Sequence, residues 1–98
     1  MTDVADQLHI IDNAEHHRYE AVLDGRVVGI SQYALSGDVI TFLHTEVDQT
    51  AEGKGFGSRL AAGALDDVRR RGLSVVARCP FIAAYIKRHR DYADLLAE

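Results

Sequence analysis

The chain has 98 residues with a formal net charge of −4, and 47% of them are hydrophobic and 27% charged. That length supports one core and one main site but no separate substrate lobe, so residues 1–98 are expected to form a single domain, and the acidic balance argues against a nucleic-acid partner. The lone Cys79 has no partner for an intramolecular disulfide, the start Met1-Thr2-Asp3-Val4 lacks a secretory pattern, and no apolar run approaches the roughly 20 residues that span a bilayer, so a cytoplasmic protein without a membrane partner is expected.

Leu8-His9-Ile10-Ile11 reads as a first edge strand, with turn chemistry at Asp12-Asn13. Tyr19 to Leu23, the pair Asp24-Gly25 and Arg26 to Ala34 read as strand, two-residue turn and strand. Ser36-Gly37-Asp38 supplies another turn, and the β-branched and aromatic run Val39 to Val47 predicts a third strand of this meander. Leu60, Ala61, Ala64, Leu65 and Val68 recur at three- and four-residue spacings, which predicts a helix from about Phe56 to Arg71 with one stripe on the sheet. Arg69-Arg70-Arg71 is expected to be a solvated helix end that complements the dipole, with Gly72 as a left-handed cap. Leu73 to Cys79 reads as a buried strand parallel to the third one, because a strand–helix–strand crossover joins parallel neighbours. Pro80 suits the first position of a helix, and Phe81 to His89 and Asp91 to Ala97 predict two short helices. The fold class is therefore α/β in the mixed, α+β sense: an antiparallel meander, a crossover helix, a further strand and a helical tail.

The chemistry concentrates at Glu52-Gly53-Lys54-Gly55-Phe56-Gly57-Ser58, where glycines at alternate positions open the predicted helix. Glycine lets a ligand approach the main chain, and a helix start offers unpaired N–H groups and positive potential, so the stretch reads as an anion cradle. It is not a P-loop, because Gly53-Lys54 is followed by Gly55 rather than serine or threonine. Nor is it a dinucleotide fingerprint, since the glycines are spaced evenly and the strand near Val75 offers no acid. Cys79 ends one strand and precedes a proline-started helix, where its sulfur would feel the positive helix end and Arg78, which makes it either a candidate nucleophile or an inert small hydrophobe. His44 and Glu46 are expected to share a strand face with Phe42, and His44 is a candidate general base or a structural histidine. His16, His17 and His89 lack partners at metal-ligand spacing, so no metal is expected.

The glycine stretch resembles the signature loop of the GNAT superfamily of acyl-CoA-dependent N-acetyltransferases, written Gln/Arg-x-x-Gly-x-Gly/Ala. Glu52 stands where glutamine or arginine is usual, and its carboxylate is expected to turn away from a bound anion. With His44-Thr45-Glu46-Val47 before the loop and Cys79-Pro80-Phe81, Tyr85 and Tyr92 after the helix, residues from Tyr19 to Leu96 are most similar to the small single-domain Yjdj-type branch. The resemblance implies acetyl-CoA or coenzyme A as cofactor, its pyrophosphate held by main-chain amides of Gly53, Lys54, Gly55, Phe56, Gly57 and Ser58. It also implies that the pantetheine arm lies along Glu46 and Val47 where two strands splay, and that Cys79 sits beside the acetyl end. Tyr85, in a Tyr-x-Lys pattern with Lys87, takes the place of the family's acid, its other reading being core packing with Phe81. The implied reaction moves an acetyl group to a primary amine of a small polyamine or a macromolecule. The alternative is a module that holds coenzyme A without turnover.

Overall fold

The computed structural model describes residues 7–48 and 55–97. Five strands lie in chain order in one sheet: β1 (Leu8–Asn13), β2 (Arg18–Leu23), β3 (Arg26–Ser36), β4 (Val39–Val47) and β5 (Ser74–Ala77). The first four are antiparallel neighbours and β5 runs parallel to β4. Helix α1 (Phe56–Arg70) makes the crossover, and α2 (Pro80–Arg88) follows β5. The mixed sheet with its helices is the α+β architecture expected from the pattern of elements.

Each junction follows from its residues. Asp24 and Gly25 both have positive φ, 51° and 78°, the pair of left-handed residues that a tight hairpin matched to strand twist requires. The α1 terminus closes with Leu73 N–H to Val68 O and Gly72 N–H to Arg69 O, both 3.1 Å, with Gly72 at φ 71°. This is a Schellman end, and only glycine takes that conformation without strain. Pro80 occupies the start of α2, where its missing N–H costs nothing.

The core fills the space between one sheet face and the helices. Leu60, Ala61, Ala64, Leu65 and Val68 of α1 are all fully buried against Tyr19, Ala21, Ile40, Phe42 and Val75, and α2 adds Ile82 and Ile86. Each large side chain so buried contributes roughly 1.5–3 kcal/mol. Gly63 marks the closest approach of α1 to β1, since a Cβ there would sit 2.7 Å from Ile10.

Three local expectations are corrected. β1 continues through Asp12 to Asn13, and the turn comes after it, in a short 3-10 segment Ala14–His16 capped by Asn13 Oδ1. The strand expected over Leu73 to Cys79 is only Ser74–Ala77, because Arg78 and Cys79 both turn their N–H to Phe42 O as the chain leaves the sheet. The last segment is 3-10, Arg90–Leu95, rather than an α-helix, and Leu96 then bridges Val75 in parallel.

Candidate active site

β4 and β5 part company at Phe42. Their pairing runs from Val39 opposite Ser74 to Phe42 opposite Ala77, while β4 continues beside β3 to Val47. Among the described residues, the main chain from Leu43 to Val47 therefore has no strand partner on the β5 side. The expected splay of this parallel pair is present, and it opens at the C-terminal ends of the strands, where ligands sit in sheets built from crossover units.

The start of α1 faces this opening. Its first intrahelical bond runs from Arg59 N–H to Gly55 O at 3.0 Å, so the N–H groups of Phe56, Gly57 and Ser58 have no acceptor in the helix. Gly55 is the N-cap at φ 76°, offers no side-chain cap, and the first turn contains no acidic residue. Among the described residues, a Cβ on Gly55 would meet nothing within 4 Å. This chemistry fits a phosphate group: donors without an acceptor in the helix and the positive end of a helix dipole. Gly53 and Lys54, with Glu52, lie outside the described residues.

Gly57 has a second duty that the spacing of glycines did not reveal. A Cβ on it would fall 2.9 Å from Phe81 Cζ and 3.4 Å from Val47 Cγ2. The end of β4, the start of α1 and the first turn of α2 thus meet at one glycine. Val47 lies beside the helix start, and Phe56 differs from its neighbours in being a buried core side chain.

The candidate catalytic side chains occupy separate places. Cys79 is the N-cap of α2 and 2% exposed, with its Sγ donating to Thr45 Oγ1 at 3.2 Å. Tyr85 is buried with its ring stacked on His89, centroids 4.0 Å apart, and tilted on Tyr92 at 6.0 Å. Burial, then the charge of Asp66, raises its hydroxyl above the ordinary tyrosine range, so it carries its proton at neutral pH. Among the described residues its Oη has no hydrogen-bond partner.

His44 and Glu46 do not share the face of Phe42. Gln32 pairs with His44 but Tyr33 pairs with Phe42, so Leu43 is an extra residue in β4, and this bulge moves every later side chain to the opposite face. Phe42 is fully buried, whereas the His44 and Glu46 side chains are 55% and 66% exposed and joined by a 2.7 Å bond from Nε2 to Oε2. The same shift turns Thr45 inward to Cys79. Thr45, which stands between two residues singled out in the sequence, is thus the one of the three in contact with Cys79. A hollow of about 390 Å³ lined by Val27, Ile30, Glu46, Val47 and Asp48 adjoins this end of β4.

A hollow of about 620 Å³ between β1 and α1 has the opposite character. Its charged groups already satisfy one another: Arg71 bonds Asp12 Oδ2 at 2.9 Å and Tyr19 Oη at 3.1 Å, Tyr19 donates to Asp67 at 2.7 Å, and Tyr33 donates to Asp12. Burial pushes the Asp67 carboxyl up, but bonds from Tyr19 and Arg70 and the arginine charges outweigh it and hold the group below its usual range. Arg69, Arg70 and Arg71 are all exposed at the helix end, and two of them also make long-range bonds. Arg71 clamps α1 to β1, and Arg69 grips Asp94 with two 2.9 Å bonds, tying the helix end to the C-terminal segment.

The family model described as GCN5-related N-acetyl-transferase matches residues 18–95. Among solved structures, a GCN5-like candidate N-acetyltransferase from Staphylococcus aureus has a TM-score of 0.70 at 19% identity, covering 93% of this chain and 89% of that one. The ribosomal-protein-S18-alanine N-acetyltransferase from Escherichia coli has a TM-score of 0.64 at 14% identity, covering 88% of this chain and 65% of that one. A ribosomal-protein-alanine N-acetyltransferase from Brucella melitensis biovar Abortus 2308 has a TM-score of 0.56 at 22% identity, covering 83% and 61%. These likenesses concern the fold, and the chain spans less than two thirds of the length of the latter two. No curated protein matches the chain. The open strand pair, the uncapped glycine-led helix and a family match over most of the chain agree: the chain belongs to the GCN5-related N-acetyltransferases, enzymes that transfer acetyl groups.

Proposed function

We propose that the protein uses acetyl-CoA to acetylate a primary amine, and that it represents the small Yjdj-type branch of its family. The observation that carries this reading is the juxtaposition of unpaired β4 main chain, Leu43 to Val47, with the uncapped start of α1. Acetyl-CoA supplies the activated thioester. The N–H groups of Phe56, Gly57 and Ser58, together with the loop through Gly53, Lys54 and Gly55, hold pyrophosphate, and the main chain at Glu46 and Val47 fixes the arm.

Glu46 orients His44 as the general base: with Nε2–H donating to the Glu46 carboxylate, Nδ1 keeps the lone pair that takes a proton from the incoming ammonium. Tyr85 Oη, protonated and without a competing acceptor among the described residues, donates to the departing sulfur. Cys79 lines the gap near the acetyl end. The acceptor class is a primary amine. Two fold neighbours are named for ribosomal-protein alanine, so peptides that begin with alanine belong in the test beside polyamines. In that test, free CoA thiol is followed on mixing the protein with acetyl-CoA and each amine. Amine-dependent release and an acetylated product are expected, whereas tight binding of acetyl-CoA with no release from any amine would favour a non-catalytic module.

A further inference from the structure

Ser31 is fully buried on β3 and has no role in the reaction sketched above. Its Oγ lies 2.9 Å from Oγ1 of Thr45, its neighbour across the strand pair, and Thr45 Oγ1 in turn accepts from Cys79 Sγ at 3.2 Å. This chain of three polar groups links β3, β4 and the start of α2, and it crosses where β4 and β5 separate. We propose that Thr45, backed by Ser31, is a positioning residue that fixes the Cys79 thiol in the gap. The proposal rests on the acetyltransferase reading for the meaning of that gap.

An N-cap side chain ordinarily bonds back to its own helix, but Cys79 makes no such bond. Its main-chain N–H goes to Phe42 O at 2.9 Å and its sulfur to Thr45, so both of its donors are tied to β4, while its carbonyl accepts from Ala83 N–H inside α2. A thiol is a weak donor and would not hold a rotamer on an acceptor free to turn. Thr45 is not free: it is stiff at χ1, and turning its hydroxyl away would leave Ser31 unpaired in the interior. The bulge at Leu43 supplies the geometry, because only with that extra residue does Thr45 point inward between Ser31 and Cys79. The two bonds from Cys79 to β4 therefore set how far the start of α2 stands from the unpaired strand.

Thr45→Val keeps the shape and removes the acceptor, Thr45→Ser keeps the acceptor, and Ser31→Ala removes its support. With one cysteine in the chain, selective labelling gives one set of Cys79 signals, and its Hα–Hβ couplings report the χ1 rotamer without any substrate. The wild type and Thr45→Ser are expected to show a single rotamer, Thr45→Val averaged couplings, and Ser31→Ala partial averaging. Turnover in Thr45→Val is expected to fall about tenfold while KM for acetyl-CoA stays within about twofold, and Thr45→Ser is expected to restore it. Unchanged couplings in both Thr45→Val and Ser31→Ala, or averaged couplings with unchanged turnover, would overturn the proposal. A wild type that acetylates no amine would count against the acetyltransferase reading, while the couplings would still decide whether Thr45 positions the thiol.

Discussion

Gly57 of α1 and Phe81 of α2 approach so closely that a methyl group on the glycine would lie 2.9 Å from the ring's Cζ. Gly57→Ala should therefore cost on the order of 1 kcal/mol through a shifted ring. Phe81→Leu in the same chain should recover part of that loss in a thermal denaturation series. Gly55→Ala meets no neighbour among the described residues, yet it places a side chain at φ 76° and in the space assigned to pyrophosphate. Its expected signature is a stability loss of about 1–2 kcal/mol with CoA affinity lowered more than tenfold by calorimetry.

The His44–Glu46 pair predicts a graded loss of rate. His44→Gln should lower kcat about a hundredfold by removing the base, and Glu46→Gln less, on the order of tenfold, by removing its orienting partner. Acetyl-CoA affinity should change little in either, because the strand offers the cofactor its main chain. Steady-state kinetics at saturating amine give the comparison, and equal rates in all three proteins would return the pair to the surface of the sheet.

Tyr85→Phe separates an acid from a packing residue. The ring stack on His89 survives the substitution, so stability should hold within about 0.5 kcal/mol while kcat falls by at least tenfold. Matching kcat values would leave Tyr85 a core side chain.

Alkali should destabilise the fold over a defined window. Burial and then the bond to Asp12 push Tyr33 up to about 12, burial and then the bond to Asp66 push Tyr92 up to about 12, and Tyr19 is raised in the same sense by burial and Asp67. These folded values lie above the ordinary 10.0, so the stabilisation is complete below pH 10 and is lost as pH rises towards 12. Denaturant midpoints should accordingly fall between pH 10 and 12, with less of a fall in a Tyr33→Phe, Tyr92→Phe double variant. Midpoints independent of pH over that interval would contradict the network.

Much of this architecture was legible because local chemistry and tertiary structure agree. Asp24-Gly25 allows one kind of turn, the stripe from Leu60 to Val68 allows one buried face, and Gly72 allows one helix end. What was not legible depends on partners distant in sequence. The bulge at Leu43 arises from the register of β3 against β4, and a single inserted residue reverses which of His44, Thr45 and Glu46 points inward. Arg71 finds Asp12 across 59 positions, which no run of arginines discloses. The packing of Gly57 against Phe81 was hidden because Phe81 lies on another helix.

The central claim is that the start of α1 and the unpaired end of β4 together hold coenzyme A. Amide signals of the ¹⁵N-labelled protein, followed during a titration with CoA, test it directly. The account predicts saturable shifts concentrated at Gly55 to Ser58 and at Leu43 to Val47, with Asp12, Tyr19 and Arg71 unmoved. Shifts gathered instead in the hollow between β1 and α1, or no saturable shifts at all, would contradict it.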